Sequence, residues 1–282
     1  MRKLGLVAGG GALPLILAAH CRGLGRPLFV IRLTGYADPA LAAYDGLELG
    51  LGKLGAAFAA LKGAGCEAVC FAGHVDRPNL KALQPDFRAL AALPGAIAAA
   101  ARGDDGLLTF LIREFEREGF VAEGADEVMA ELLLPFGAIG KHRPARGHRG
   151  DIARALEAAR SVGALDAGQG AVVCDGVILA LEAREGTDAM LARIGTLPAA
   201  VRGSPSRRRG VLAKVCKPDQ ERRVDLPTIG PTTVRRAADA GLAGIVGEAR
   251  GALVLEREQV AALADSLGLF VCGVEAPGLA SA

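Results

Sequence analysis

The sequence predicts an α/β protein made of two domains, and three observations carry that prediction. The chain has 282 residues, enough for about two domains of ordinary size. Short apolar runs typical of strands alternate with stretches in which apolar residues recur at helical spacing. Hydrophobic residues make up 51% of the chain and charged residues 23%, which is ordinary for a globular protein and excludes a disordered chain.

The N-terminal half shows the alternation of strands and helices that is typical of a parallel sheet. The order strand, helix, strand is the repeating unit of such a sheet with crossover helices, so residues 1–134 are expected to form a Rossmann-like domain. The elements expected there are strands at 3–8, 27–33 and 67–72, a helix after the first strand, a helix at 53–65, and a mostly helical stretch at 79–131.

The C-terminal half is expected to be a separate α/β catalytic domain, residues 151–282, with the active site in the cleft between the two domains. Residues 135–150 are rich in glycine, proline and basic residues, which predicts a linker. The clearest local signal is Asp175-Gly176 between two apolar runs, which predicts a β-hairpin. The other expected elements are helices at 152–162, from 187, at 232–240 and at 257–267, and strands at 210–215, 243–246 and 269–274.

Charge and hydropathy exclude several classes of protein. The 33 basic and 31 acidic residues leave a net charge of +2, which argues against a general nucleic-acid binder. No apolar run approaches the roughly 18 to 20 residues of a spanning helix, and the N-terminus lacks the apolar core of a signal peptide. A cytoplasmic protein is therefore expected, and the mean hydropathy of +0.32 is compatible with a homodimer. The six cysteines lack metal-binding spacing and are expected to be buried thiols in a reducing compartment.

A glycine-rich turn between the first strand and the first helix is the first candidate for chemistry. Glycines let the backbone approach a phosphate, and the N-terminus of a helix supplies free N–H groups. Gly10, Gly11 and Ala12 are therefore candidate phosphate contacts, and a tight turn without a ligand is the alternative. A nicotinamide cofactor is disfavoured, because Pro14 replaces the third glycine of the dinucleotide fingerprint and Arg32 stands where an acid is expected.

Two further candidates follow in the N-terminal half. His74 and Arg77 come directly after the third expected strand, at the sheet edge where ligands gather in open α/β sheets. A strand exit with a solvated charge pair is the alternative. Asp104 precedes a helical stretch, where it caps the helix or contacts a ligand.

The C-terminal half carries the richer sets. Gln169 and Gly170 form a Gly-Gln-Gly turn, and Thr187 and Asp188 follow as ligand contacts or helix caps. Glu182 and Glu185 lie near a strand end, where carboxylate oxygens can hold a divalent ion. Basic residues surround a single acid, Asp225, in the sequence. An acid in such surroundings suits metal binding or water activation in phosphoryl chemistry. The alternative is a charged loop in which Asp225 forms a salt bridge. The candidate phosphate contacts of this set are Lys214, Lys217, Gln220, Arg223 and Thr228.

One basic run stands apart from these sets. Residues 202–209 contain four arginines and either touch anionic headgroups or form a solvated loop.

Taken in order, these motifs resemble those of the UDP-2,3-diacylglucosamine pyrophosphatases of lipid A biosynthesis, in the family that is not calcineurin-like. The resemblance covers nearly the whole chain. The segments that carry it are GLVAGGGALP at 5–14, FAGHVDRP at 71–78, RGDDGLL at 102–108, DAGQGAVVCDGVILALEAREGTDAML at 166–191, KVCKPDQERRVDLPTIGPTTV at 214–234 and AGLAGIVGEAR at 240–250.

The resemblance implies hydrolysis of the pyrophosphate of UDP-2,3-diacylglucosamine to UMP and 2,3-diacylglucosamine 1-phosphate (lipid X). It implies a divalent cofactor, Mg²⁺ or another such as Mn²⁺, and a lipid–nucleotide substrate held between two α/β domains. Asp225 falls at the family's essential acid, so it is expected to be catalytic and to bind the metal with Glu185 and Asp188. A nucleotide-sugar or phospholipid-precursor binding module without catalysis is the alternative.

An acylated substrate implies apolar surface and peripheral contact with the inner face of the cytoplasmic membrane. The Ala- and Leu-rich stretches at 79–101 and 107–120 either wall a groove for acyl chains or form ordinary core. Ordinary core is the favoured interpretation.

Overall fold

The computed structural model describes residues 1–75, 84–101, 104–217 and 221–275, without the side chains of Asp104 and Asp105. The chain divides into two compact units. The first comprises residues 1–131 and 221–225, and the second comprises residues 132–220 and 226–282. The expected cleft between the two domains stays a prediction.

The first unit is built on a parallel sheet, as predicted. Its elements are β1 (Leu4–Ala8), α1 (Leu13–Gly23), β2 (Leu28–Leu33), β3 (Gly46–Leu49), α2 (Leu54–Gly63), β4 (Ala68–Ala72), α3 (Phe87–Ala100), α4 (Asp104–Arg117), β5 (Val121–Ala122) and α5 (Ala125–Val128). The strand order is β3-β2-β1-β4-β5, and every pairing is parallel. This confirms the Rossmann-like sheet and adds β3, a short strand that the sequence pattern did not reveal.

An aromatic cluster forms part of the core of the first unit. The ring of Phe115 on α4 meets Phe58 on α2 edge-on, with centroids 4.8 Å apart, and Phe71 on β4 at 4.9 Å. Edge-on contacts of this kind are favoured by the ring quadrupoles. Val224 packs against the same cluster, although it lies about a hundred residues further along the chain. The returning segment 221–225 is therefore part of this core.

The second unit is a mixed sheet with helices on both faces. Its elements are β6 (Gly137–Ile139), α6 (Arg149–Ala164), β7 (Gly170–Cys174), β8 (Val177–Leu181), α7 (Gly186–Gly195), α8 (Ala199–Arg202), β9 (Gly203–Ser204), β10 (Arg207–Arg208), β11 (Val211–Lys214), β12 (Thr228–Ile229), α9 (Pro231–Asp239), β13 (Gly244–Glu248), β14 (Leu253–Val254), α10 (Arg257–Leu267) and β15 (Phe270–Val274). The main sheet has the order β15-β13-β11-β7-β8. Strands β11, β13 and β15 run parallel, whereas β7 pairs antiparallel with β11 and β8.

The predicted hairpin between β7 and β8 is confirmed. Asp175 and Gly176 have φ angles of 50° and 76°, the positive values that a tight two-residue hairpin loop requires. Buried Asp151 on α6 accepts hydrogen bonds from both N–H groups of this turn, at 3.0 and 2.7 Å. A local sequence signal and a tertiary contact thus specify the same turn.

The segment 135–150 differs from the predicted linker. It contributes β6, and Ile139 is buried in the core of the second unit. Phe136 bridges to Gly273 at β15. Its glycine, proline and basic content therefore reflects an irregular but packed path along the sheet edge.

The arginines of the run 202–209 are largely engaged within the second unit. Arg202 donates to the carbonyl of Leu197 at 2.7 Å, and Arg208 donates to that of Ala238 at 2.9 Å. Burial lowers the pKa of Arg208. Arg209 donates to the carbonyl of Ala200 at 2.6 Å. These bonds tie the run to the fold instead of leaving it as a solvated loop.

The six cysteines all lie within the described residues, where none is in a disulfide, and all but Cys216 are buried. Burial raises the pKa of Cys174 to about 11, so this thiol stays protonated near neutral pH. Within the part of the chain that the structure describes, none of the helices combines the length and apolar character needed to cross a bilayer.

Candidate functional site

The glycine-rich turn after β1 is joined to the loop after β4. Gly10 donates its N–H to the carbonyl of His74 at 2.8 Å, and His74 donates its own to the carbonyl of Gly10 at 2.8 Å. Gly73 has φ of +94°, and a Cβ there would lie 2.5 Å from the carbonyl oxygen of Gly10. The two loops therefore hold each other in place at the carboxyl edge of the sheet. The N–H of Gly10 is one of the groups that make this contact.

The neighbouring residues fit the predicted phosphate contact better. Gly11 has φ of +88° and nothing within 4 Å of the position of a Cβ. Helix α1 starts at Leu13, and no side chain caps its start at Ala12. An open backbone at the positive end of a helix suits an anion. The roles of Gly10, Gly11, Ala12 and His74 in substrate binding stay predictions.

The segment 221–225 is anchored in the first unit at Glu116, at Gly124 and at the aromatic cluster on which Val224 packs. Arg223 donates to Glu221 at 2.8 and 2.9 Å and to Glu116 on α4 at 2.6 Å. A Cβ on Gly124 would lie 3.2 Å from the Cα of Arg223, so this glycine permits a close approach. The hydrogen bonds from Arg223 lower the pKa of Glu221, and Glu221 raises that of Arg223. Arg223 thus has a structural role that its predicted phosphate contact did not include.

Asp225 stands at the end of this anchored segment. Its N–H donates to the carbonyl of Glu221 at 3.2 Å, which closes a turn, and its side chain is half-buried. The next residue, Leu226, already belongs to the second unit. The predicted acid is therefore carried by a braced turn rather than by an open loop, as a catalytic carboxylate requires.

In the second unit, one row of residues crosses the whole sheet at the carboxyl ends of β8, β11, β13 and β15. The apolar row that precedes it on the same face is buried and packs against α7, α9 and α10. From the first row to the second, the residues on this face of the sheet therefore change from apolar side chains to glycines and charged side chains. The apolar row is Val271, Ile245, Leu212, Val172 and Ala180, and the row that follows is Gly273, Gly247, Lys214, Gly170 and Glu182.

Two buried charges lie in this second row. Lys214 is 5% exposed, and its Nζ donates to the carbonyl of Thr228 at 3.0 Å. Glu182 is 6% exposed, and its Oε1 accepts a hydrogen bond from Oγ1 of Thr187 at 3.0 Å. Buried charges are rare unless a partner or a ligand compensates them. We call Lys214, Gly170 and Glu182 the Lys–Gly–Glu row.

Both glycines of the Gly-Gln-Gly turn pack closely against Glu182. A Cβ on Gly168 would overlap the carbonyl oxygen of Glu182, and a Cβ on Gly170 would overlap its Oε2. Gln169 between them has a buried Oε1 without a hydrogen-bond partner among the described residues. The sequence predicted ligand contacts for Gln169 and Gly170, and these stay predictions, but it did not reveal that the turn packs on Glu182.

The predicted metal ligands do not form a preassembled cluster. Glu185 and Asp188 are exposed, and Glu185 accepts from Arg193 at 3.3 Å. Across the described ranges, no three His, Cys, Asp or Glu side chains are grouped so that they could hold a metal ion. Carboxylates are ligands that Mg²⁺ takes together with substrate phosphates, and the assignment of Asp225, Glu185 and Asp188 as metal ligands stays a prediction.

The remaining predicted residues divide into two groups. Lys217 lies within the described residues, and its Nζ pairs with Asp166 at 2.7 Å. Arg77 and Gln220, and the side chain of Asp104, lie outside the described residues. Helix α4 begins at Asp104, so this residue lies in the helix and does not precede it.

Helix α3 has an apolar face exposed to solvent, contrary to the favoured expectation of core. Phe87 is 88% exposed, Leu90 55% and Ile97 53%. Spacings of three and seven residues place these side chains on one face of a helix. In contrast, α4 buries Ile112 and Phe115 and is core as expected. An exposed apolar face points to an interaction surface.

Comparison with known proteins matches both halves of the chain to one family. Residues 3–132 match the LpxI N-terminal domain, and residues 135–272 match the LpxI C-terminal domain. A protein of Caulobacter vibrioides (strain ATCC 19089 / CIP 103742 / CB 15), named UDP-2,3-diacylglucosamine pyrophosphatase LpxI, is 59% identical over 275 residues, which are 98% of this chain and 98% of that protein.

A solved structure named CobK precorrin-6A reductase aligns with 100% of this chain and 91% of its own at 15% identity, with a TM-score of 0.32. A score this low carries no argument. The two domain matches and the relative of nearly equal length confirm the resemblance seen in the motifs. The chain belongs to the LpxI family.

Proposed function

We propose that this chain hydrolyses the pyrophosphate bond of UDP-2,3-diacylglucosamine in lipid A biosynthesis, releasing UMP and 2,3-diacylglucosamine 1-phosphate. The observation that carries the proposal is the 59% identity, over 98% of the chain, to a protein named for that pyrophosphatase activity. The buried Lys214 and the open start of α1 support it, because both offer positive charge to phosphate oxygens.

In the proposed mechanism, the N-terminus of α1 at Gly11 and Ala12 and the ammonium group of Lys214 bind diphosphate oxygens. Asp225, held by the anchored turn, orients the attacking water and binds the metal, with Glu185 and Asp188 as further ligands. A divalent ion held by these carboxylates, Mg²⁺ or Mn²⁺, would supply neutralisation of phosphate charge and a lowered pKa of a water molecule. A rigid support for Asp225 limits the reorganisation needed to reach the reactive geometry.

We expect purified protein to release UMP from UDP-2,3-diacylglucosamine in the presence of Mg²⁺ and to lose this activity in EDTA. Removing the cation removes the charge neutralisation on which the proposed mechanism depends. UMP is measured by chromatography, and Mn²⁺ is added back after EDTA as the control. Tight binding of the intact substrate without UMP release, with either cation, would instead favour a binding module without catalysis.

The apolar face of α3 supports contact with acyl chains at the inner face of the cytoplasmic membrane. Arg88 is the only charged side chain within the sequence of α3, and it pairs with Glu114 on α4 and with Glu118, which directly follows α4. A substrate with two acyl chains leaves the bilayer only at a large cost in hydrophobic free energy. We therefore propose that α3 lies against lipid while the substrate is bound. A homodimer stays a prediction.

The double variant Leu90→Ser, Ile97→Ser is expected to bind vesicles of phosphatidylethanolamine and phosphatidylglycerol roughly 5- to 30-fold more weakly than the unmodified protein. Removing two half-exposed apolar side chains costs about 1–2 kcal/mol of transfer free energy. Co-sedimentation measures the bound fraction. The double variant Val177→Ser, Val201→Ser, at exposed positions of the second unit, is the matched control. Equal losses in both variants would argue against a specific role for α3.

A further inference from the structure

Glu182 carries a buried carboxylate oxygen that the proposed mechanism does not use. Its Oε1 is bonded to Thr187, but its Oε2 is shielded from solvent and has no hydrogen-bond partner among the described residues. This oxygen lies directly over Gly170, where a side chain would overlap it. An unsatisfied buried acceptor costs roughly 1–3 kcal/mol, and more when it is charged. Such a cost is typical of groups that wait for a ligand.

The surroundings limit what this ligand can be. Lys214 lies in the same row, one strand beyond Gly170, so the two charged side chains start about 10 Å apart at their Cα atoms. A phosphate is excluded from Glu182 by like charge, and a metal ion is disfavoured there by the buried ammonium group. A neutral donor, a hydroxyl group, fits a carboxylate oxygen beside a cation.

A phosphorylated sugar offers both complementary groups in one molecule. Its phosphate oxygens are acceptors that suit Lys214, and its hydroxyl groups lie a few bonds away and donate. Gly170, between the two charged residues, has no side chain, and the atom nearest its Cβ position is Oε2 of the rotatable Glu182 side chain. The Lys–Gly–Glu row therefore has the charge pattern of a sugar-phosphate site.

We propose that Glu182 is a specificity-determining binding residue whose Oε2 accepts a hydrogen bond from a hydroxyl group of a phosphorylated sugar. This inference rests on the proposed function, whose substrate contains two such sugars, the ribose of UMP and the acylated glucosamine. The glutamate side chain has three rotatable bonds, so the carboxylate can turn from Gly170 towards the ligand while the sheet stays in place. Thr187, at the start of α7, then donates to the same carboxylate and orients it.

The variant Glu182→Gln tests this role, because the amide oxygen still accepts from Thr187, while the amide nitrogen cannot accept the hydroxyl proton and offers only a neutral N–H donor in place of a charged acceptor. We expect KM for UDP-2,3-diacylglucosamine to rise roughly 10- to 100-fold, as for the loss of a hydrogen bond to a charged group. Isothermal titration with UMP and, separately, with 2,3-diacylglucosamine 1-phosphate shows which sugar Glu182 contacts, because the variant should lose affinity only for the ligand that contains that sugar. The control is Glu258→Gln, an exposed glutamate on α10, which should leave both affinities unchanged.

Deoxy substrates identify the hydroxyl group. With the unmodified protein, a substrate that lacks this hydroxyl group should have a KM raised by the same factor as Glu182→Gln raises it. With the variant, removal of the hydroxyl group should raise KM no further. If Glu182→Gln keeps both affinities and KM within twofold while remaining folded by circular dichroism, the inference is wrong and the buried oxygen is only structural. If the unmodified protein releases no UMP at all, the proposed function fails first, and the two titrations still test the sugar-phosphate site.

Discussion

Replacing Asp225 by Asn is expected to lower kcat for UMP release by roughly 10²- to 10⁴-fold, the usual contribution of a positioned acid or base. The substitution keeps the shape of the side chain but removes the negative charge that orients water and binds the cation. The melting temperature should change little, because the side chain is half-buried and the turn is closed by its backbone N–H. Steady-state kinetics and thermal denaturation measure the two effects.

The matched control for this variant is Asp45→Asn, which makes the same change at an exposed aspartate of the same unit. It should leave kcat within a factor of two. A kcat above one tenth of normal in Asp225→Asn would contradict the assigned role. A melting temperature that falls together with kcat would show that Asp225 acts through folding rather than through chemistry.

Replacing Phe115 by Ala is expected to lower the free energy of unfolding by about 3–5 kcal/mol, the range for deleting a buried aromatic ring. Phe115 is nearly fully buried and contacts the rings of Phe58 and Phe71 edge-on. Because Val224 packs on the same cluster, the cavity should also loosen the turn that carries Asp225. Urea denaturation gives the stability change, and kcat measured well below the transition gives the effect on the turn.

The matched control is Phe136→Ala, which removes an exposed ring in the second unit. It should change the free energy of unfolding by less than about 0.5 kcal/mol, as is usual for exposed positions. A loss of less than about 1 kcal/mol in Phe115→Ala would mean that the aromatic cluster repacks around the cavity. Normal kcat in that variant would mean that Val224 does not brace Asp225.

Local patterns predicted most of the elements of this fold. Apolar alternation and helical spacing placed the longer helices and strands, and Asp175-Gly176 specified its hairpin, because each depends on neighbours in sequence. The short elements β3, β5, β6, α8, β9, β10 and β12 were missed, since two to four residues carry little periodicity. The antiparallel pairing of β7 with β11 could not be predicted either, because strand partners are chosen by long-range packing.

The candidate site was predicted in composition but not in arrangement. The sequence marked Lys214 and Gly170 as separate motifs, and only the sheet register places them beside Glu182. It predicted a phosphate contact for Arg223, whereas the structure shows a side chain held by two glutamates. It favoured core for α3, whose apolar face is exposed. In each case the missing information was a partner distant in sequence, which hydrophobic pattern and residue type do not contain.

The return of residues 221–225 into the first unit has a consequence for biosynthesis. Translation delivers the strands of the parallel sheet early, but Val224 and Arg223 emerge from the ribosome only after most of the second unit has been made. During synthesis the core of the N-terminal half therefore stays incomplete until these residues are made. Completing this core closes a long loop of the chain, which costs conformational entropy. A fragment that ends at residue 131 lacks this closing piece, so the boundary between the two sequence domains is not a boundary between two independent folding units.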